Sequence, residues 1–499
     1  MMSLSIGSPM GMVLLSVILG VGYAISISFY NLFLHPLRNF PGPILNRISR
    51  IPRARHLVKG DQSFHIRTLQ EKYGPVVRIA PDELAYIDVQ AWKDIYGHRS
   101  NGDEFSKPSW FYRIFNQIPV DLLSETRERH AALRRQLAHG FSDKAMRTHE
   151  PIITNYVNLL IQRLHEQCHG TTAVVPMRDW FWHTTFDVIG DLGFGSPFGC
   201  LGGNCVHPWI RLITTSIWQN AAMRALISLV GQGPMQFLFD TGLLAGKKHQ
   251  DIMSEKLAQR MELGHERPDL IEGLLKEKDN LNLSFKQLTA NSTLLMVAGS
   301  LTTATFITGS TFLLVSNPDK LKKLVEEVRS SFASEEEINL VSVGRLSYML
   351  ACLNEGLRRY PPVTTGLPRT VPKGGASVAG QYVPEGTTVA VWQWAINHRS
   401  DYWSQPFEYI PERWLEGGNK ERGDQLDAMQ PFSAGPRNCI GRNLAFAEAR
   451  LILARVLYNF DIELDRSSQR WLADQKSYAM WDKPQLNLKL TPVVKMRGE

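Results

Sequence analysis

Ten residues near the carboxyl end, Phe432-Ser433-Ala434-Gly435-Pro436-Arg437-Asn438-Cys439-Ile440-Gly441, constrain this chain more than any other stretch. Two glycines and a proline in so short a span exclude a helix or strand interior. Apolar residues then recur with helical spacing at Ala445, Ala449, Ile452 and Val456. Cys439 therefore precedes a helix amino terminus, where the helix dipole favours a thiolate, the form of cysteine that ligates metal. Gly435 and Gly441 let the backbone approach a flat ligand. Arg437 offers a fork of donors to a carboxylate, and Phe432 can screen the sulfur from water. The competing reading is an ordinary buried cysteine in a glycine-rich loop.

The other cysteines do not suggest a scaffold. The chain of 499 residues holds five: Cys168, Cys200, Cys205, Cys352 and Cys439. The number is odd, and no pair has the two-residue gap of a zinc ribbon or redox motif. A reducing compartment with one special cysteine fits this usage. With 43% hydrophobic and 21% charged residues the composition is that of an ordinary globular protein. The net charge of +7 suits an acidic protein partner or an anionic membrane surface. No basic run is interleaved with aromatics, so nucleic acid is not an expected partner.

Residues 1–34 carry no charged side chain, and Arg38, Arg47, Arg50, Arg53 and Arg55 follow. About 20 apolar residues suffice to cross a bilayer. An uncleaved single-pass anchor with the bulk of the chain in the cytosol fits better than a signal peptide, which would carry a basic start. Prolines at 36, 41 and 43 predict a stiff, extended hinge. The expected organisation is an anchor over 1–34, a proline-rich hinge over 35–60 and one body over 61–499. The body reads as mainly α with small antiparallel sheets. One hairpin is expected at 76–80 and 84–88, and another small sheet at 377–379, 382–383 and 387–394. The longest helical pattern opens at Ser284, whose spacing to Gln287 is that of a capping box, and stops at Asn317-Pro318. It has no charge between Lys286 and Asp319. It is either a second span or a helix through the centre of a large domain, and the second reading is favoured.

These motifs, in this order, resemble the cytochrome P-450 family, over nearly the whole chain. The 432–441 stretch matches the family's Phe-x-x-Gly-x-Arg-x-Cys-x-Gly signature at every fixed position. Glu355-Gly356-Leu357-Arg358 is similar to its Glu-x-x-Arg helix, and Pro411-Glu412-Arg413-Trp414 to the segment whose arginine completes that cluster. Ala298-Gly299-Ser300-Leu301-Thr302-Thr303 resembles the oxygen-binding helix. His130-x-x-x-Arg134 resembles a helix that donates to a propionate, and residues 30–43 resemble membrane-bound fungal members.

The resemblance implies the P-450 fold, with a long central helix over haem b (iron protoporphyrin IX) and Cys439 as the axial iron ligand. Arg134, Arg369 and Arg437 become candidates for the two propionates, with His130 as a fourth donor. Phe432, Gly435, Gly441, Ala298 and Gly299 would line the cofactor, and Thr302 would be catalytic. Glu355, Arg358 and Arg413 would form a buried cluster; read alone, Glu355 and Arg358 are a solvated i,i+3 pair. Most members have an acid where this chain has Leu301. Proton delivery would then use water held by Ser300 or Thr302 or a substrate hydroxyl, or the outcome would differ from simple hydroxylation. Substrate contacts are expected from Phe105, Trp110, Phe111, Tyr112, Phe115, Ala298 and residues 363–367.

The implied activity is a monooxygenase of the endoplasmic reticulum membrane in fungal secondary metabolism. It would use dioxygen on an apolar terpenoid or polyketide. Electrons would come from NADPH-cytochrome P-450 reductase, with cytochrome b5 as a second donor, docking on a basic face near Arg127, Arg129 and Arg135. Two alternatives belong to other classes: a haem-binding protein without oxygenase activity, and a zinc protease built on His165, Glu166 and His169, whose spacing is that of a zinc helix. The 193–199 glycine loop lacks dinucleotide spacing, and Pro197 stands where a helix would have to begin.

Overall fold

The computed structural model describes residues 9–99, 104–113, 119–203, 208–241, 248–264, 267–420 and 422–493. The longest helix within the packed body, Phe285–Val315, begins at the expected cap: the Ser284 hydroxyl accepts from the Gln287 amide at 3.3 Å, and the Gln287 side chain accepts from the Ser284 amide at 3.1 Å. It stops before Pro318, which opens the next helix, Pro318–Ser331. The most apolar window of this helix is 78% buried inside the body. Three of its buried hydroxyls are satisfied within the helix: Thr305, Thr308 and Thr311 donate to the carbonyls of Leu301, Ala304 and Ile307 at 2.6, 2.6 and 2.8 Å. A polar, charge-free helix can thus sit in protein with most of its hydroxyls paired, the buried Ser310 hydroxyl being an exception. It packs most extensively on Met177–Phe194 and also against Ser347–Arg359 and Arg442–Asn459. Of the two readings the core helix is the one observed.

The amino-terminal run is different. Helix Pro9–Phe29 continues into a π-helical turn, Tyr30–Leu34, and its apolar side chains stand exposed. Pro9–Leu34 is long and apolar enough to cross a membrane, and none of its most apolar window is buried in the body.

The 35–60 stretch is not the extended hinge its prolines suggest. It contains two helices, Ile44–Ile48 and Ile51–Lys59. Leu37, Phe40, Ala54 and Leu57 are buried. The fully buried Arg78 donates to the Asn31 carbonyl at 2.9 Å, and its amide donates to Pro41 at 2.7 Å. Asn46 reaches the Ile79 carbonyl at 2.9 Å. Prolines stiffen 36–43 only. Beyond them, Ala54 and Leu57, one helical turn apart, find a surface to bury against, while Ile44, Leu45 and Ile51 stay exposed.

Eleven strands occur among the described residues: β1 Val76–Ala80, β2 Glu83–Tyr86, β3 Ala173–Pro176, β4 Arg369–Thr370, β5 Ala376–Val378, β6 Gln381–Val383, β7 Thr388–Val391, β8 Phe460–Leu464, β9 Lys476–Tyr478, β10 Met480–Asp482 and β11 Asn487–Pro492. The expected hairpin is β1–β2. β5 and β6 pair with each other, but β7 leaves them. It runs parallel to β2 and antiparallel to β4, in a mixed sheet of order β1-β2-β7-β4. The burial pattern explains this. All four β7 residues are buried, as an interior strand requires, whereas β6 exposes Gln381 and Tyr382. Residues 393–397 then turn helical rather than extending the strand. Most buried apolar residues form one connected core, from Leu37 to Leu490.

Candidate active site

The cysteine loop is held by its own backbone. The Cys439 amide donates to the Phe432 carbonyl at 2.8 Å, and a short 3-10 turn, Gly435–Arg437, bends the chain between them. Helix Arg442–Asn459 starts directly after Gly441. The thiol lies deep in the body yet faces open space, a cavity of about 300 Å³ that Ala298, Gly299, Thr302 and Phe306 of the central helix also line. Burial pushes the Cys439 thiol above its ordinary value, while the Gly441 amide and Arg134 pull it down. Burial thus opposes the thiolate that the helix terminus favours. A bound cation would supply what is missing, because metal ligation deprotonates a thiol.

Gly435 and Gly441 play different parts. Gly435 has φ +71°, and a side chain there would run into the Tyr96 carbonyl. Its need for glycine comes from protein packing rather than from a ligand. Gly441 lines the cavity, and a Cβ there would have only Phe141 at 3.8 Å and the Cys439 sulfur at 3.9 Å as neighbours. Phe432 also lines the cavity.

The basic candidates gather at this cavity. Arg134 donates to Asn438, to its carbonyl at 2.6 Å and its side-chain oxygen at 2.5 Å. Arg437 is ion-paired with Glu104 and donates to the Glu125 carbonyl at 3.0 Å. Arg369 stands behind them. It donates to the Tyr112 hydroxyl at 2.7 Å and lies over the Tyr96 ring at 5.1 Å. His130 is pressed down to about 3, by burial first and then by Arg437 and Lys107, so it is a neutral donor rather than a fourth cation. Lys107, which no motif marked, lines the same cavity and donates to the Leu123 carbonyl at 2.6 Å. Burial, Arg369 and Arg437 push its ammonium down to about 6. Among the described residues no carboxylate forms an ion pair with Arg134 or Arg369. Clustered cations with so few anions fit a ligand that brings two carboxylates, such as haem.

On the central helix the Thr302 hydroxyl donates to the Ala298 carbonyl at 2.5 Å. Gly299 permits close packing: a Cβ there would lie 2.7 Å from Ile189. Leu301 is 3% exposed and does not line the cavity. Ser300 is not available to hold water there. Its hydroxyl donates to Met296 at 2.8 Å, and its carbonyl accepts from Thr185 at 3.0 Å.

The cavity walls are otherwise apolar. Val363, Thr365 and Leu367 line them in alternation, as an extended segment should. The expected aromatic cluster does not line them. Phe105 is buried beneath Arg99, Trp110 and Phe111 border a separate small void, and Tyr112 holds Arg369. Phe115 lies outside the described residues. Ile189, Leu122, Leu294 and Leu295 take the lining positions instead. Nothing in their spacing separates them from core residues.

Glu355, Arg358 and Arg413 are all fully buried. Glu355 accepts from Arg358 at 2.8 and 2.9 Å, from Arg413 at 3.3 Å, from the Trp414 ring nitrogen at 2.9 Å and from the Ile410 amide at 3.0 Å. Asp424, a member the sequence did not reveal, pairs with Arg413 at 2.5 Å. The solvated pair is ruled out.

The zinc-helix residues and the 193–199 glycine loop stay apart from this cavity. His169 is the left-handed cap (φ 47°) that ends its helix, while His165 packs on Phe460 and Glu166 pairs with Arg163. Among the described residues no group of three His, Cys, Asp or Glu could hold a metal ion. The amides of Phe198, Cys200 and Leu201 all donate to Asp187, at 3.1, 3.1 and 2.9 Å, so they are not free to cradle a phosphate.

A model of the cytochrome P-450 family matches residues 42–490. A cytochrome P-450 monooxygenase of Talaromyces stipitatus is 47% identical, over 96% of this chain and 94% of its own length. Trichothecene C-15 hydroxylase of Fusarium sporotrichioides is 42% identical, over 95% and 96%. Averantin hydroxylase of Dothistroma septosporum is 41% identical, over 97% and 92%. With these matches spanning the cysteine loop, the central helix and the buried ion cluster, the chain belongs to the cytochrome P-450 family of haem-thiolate monooxygenases.

Proposed function

We propose that this chain is a membrane-anchored monooxygenase of fungal secondary metabolism that inserts one oxygen atom of dioxygen into a largely apolar terpenoid or polyketide. The observation that carries the reading is the Cys439 thiol, open to a cavity that Thr302 also lines and that Arg134 and Arg437 border. Haem b, held through its iron by Cys439, supplies the oxygen activation when bound. Arg134, Arg369 and Arg437 balance its propionates, with His130 as a neutral donor. The apolar walls select the substrate and exclude bulk water. The Thr302 hydroxyl, which now donates to Ala298, is the protein group that passes a proton toward the reacting oxygen. Leu301 offers no proton, so the supply depends on water at Thr302 or on a substrate hydroxyl. Electrons come from a separate flavoprotein, NADPH-cytochrome P-450 reductase, with cytochrome b5 as a second donor. The surface pocket lined by Arg99, Arg127 and Arg135 is the docking face. The anchor belongs in the endoplasmic reticulum, with the body in the cytosol.

Two measurements test this reading. Cys439→Ser should remove the red-shifted carbon monoxide band of the reduced protein and all reductase-dependent oxidation. A persisting band would refute sulfur ligation, and sustained turnover with NADPH in pure protein would refute the need for a reductase. Thr302→Ala should leave that band intact but lower product formation on the order of 10²-fold, with electrons lost to hydrogen peroxide. An unchanged ratio of product to peroxide would remove Thr302 from proton delivery. A haem carrier without oxygenase activity would show the band and no oxidation.

A further inference from the structure

Beside the main cavity lies a small void of about 20 Å³, and Thr365 lines both. Its walls hold an unusual set of unpaired polar atoms. The Gln62 amide nitrogen, the Trp392 ring nitrogen, the Arg224 Nε and the Thr365 hydroxyl have no hydrogen-bond partner among the described residues. Gln62, Trp392 and Thr365 are each at least nine-tenths buried. Buried polar groups are nearly always paired, so these four orphans, besides the ion-paired Arg53 Nε, call for an occupant.

The occupant's chemistry follows from the donors. Three of the four atoms can only donate, and the hydroxyl can donate as well. Arg53 and Glu83 line the same void and balance each other's charge as an ion pair at 2.6 Å, although the Arg53 Nε makes no hydrogen bond. Among the described residues Arg224 has no acid partner; it lies over the Phe111 ring at 4.4 Å. Burial lowers its affinity for the proton, and only Tyr112 works against that. The void therefore carries one uncompensated positive charge. A single ordered water would fit by size. It accepts at most two hydrogen bonds and brings no charge, so it would leave donors and guanidinium unmet. A carboxylate oxygen meets both needs.

We infer that this void is a subsite for a carboxylate on the non-reacting end of the substrate, reached past Thr365 from the cysteine cavity. The inference rests on the haem-thiolate reading of that cavity. The substrate would then be amphipathic: an apolar body along Val363, Leu367 and the central helix, and an acidic end at Gln62, Arg224 and Trp392. Such an anchor fixes which carbon faces the sulfur side of the cavity. It is a positioning device rather than part of the reaction.

The test uses the full-length holoprotein and N-alkylimidazoles, whose ring shifts the haem absorption on binding. Tails of six to twelve carbons ending in a carboxylate are compared with tails of equal length ending in methyl. Expected is a preference for the acid of tenfold or more, confined to a narrow range of tail lengths. Arg224→Met and Trp392→Phe should reduce it to threefold or less while the carbon monoxide band is kept. If the wild-type protein prefers methyl-ended tails at every length, the void holds water only and the inference fails. An acid preference that survives both substitutions would also overturn it. The wild-type series decides alone if a variant does not fold. If no probe shifts the spectrum in any protein, it is the haem-thiolate reading that has failed.

Discussion

Glu355→Ala should yield protein that retains almost no haem. Five hydrogen bonds end on this one fully buried carboxylate, from Arg358, Arg413, Trp414 and the Ile410 amide. Arg413 would keep Asp424, but Arg358 would keep only the carbonyls of Asn397, Pro406 and Glu408. A buried guanidinium stripped of its anion costs about 3–5 kcal/mol. That is a large part of the roughly 5–15 kcal/mol that hold a typical domain together. The loss is felt at the cavity because Leu357, on the same helix, lines its wall. Glu355→Gln keeps the shape and one acceptor and should fall between. The checks are the haem-to-protein ratio of purified protein and the thermal midpoint. Full occupancy with an unshifted midpoint would show that the cluster is not needed for cofactor retention.

This cluster shows how far sequence reaches. The Glu355–Arg358 spacing guarantees that the two side chains meet, but an i,i+3 pair looks alike on a surface and in a core. Arg413 lies 58 residues on and was visible only through resemblance. Trp414 stands in that same quoted segment, though its bond to Glu355 was not foreseen, and Asp424 was visible by neither route, since no period or motif marks it. The central helix was legible end to end because its cap and its lack of charge are local. Whether protein or lipid surrounds it is a matter of packing, and so was not legible. The aromatic cluster misled for a related reason. Composition says that rings are present but not where they point. Here Arg53, Arg224 and Arg369 draw the rings of Trp110, Phe111 and Tyr112 away from the cavity. Lys107 went unnoticed because a lone lysine between loops looks like a surface residue until the fold surrounds it with Arg369 and Arg437.

Gly435→Ala should displace the cysteine loop. Two separate effects act at this position. The backbone sits at φ +71°, where any residue with a Cβ is strained by about 1–2 kcal/mol. The new methyl would also be driven into the Tyr96 carbonyl, 2.8 Å from its carbon and 3.0 Å from the Gly97 Cα. Those neighbours are backbone and cannot rotate away, so the loop itself must move. The turn Gly435–Arg437 sits between the Phe432 carbonyl and the Cys439 amide that bonds to it, so the shift is passed to the sulfur. Gly417→Ala separates the two effects. Its φ is +74°, but no atom lies within 4 Å of the added carbon. Gly417→Ala should lose only the backbone share of stability and keep the thiolate band at full height. Gly435→Ala should lose more stability and replace most of that band with the shorter-wavelength band of a haem without thiolate. If the two variants are indistinguishable in spectrum and thermal midpoint, close packing against Tyr96 does not position the ligand.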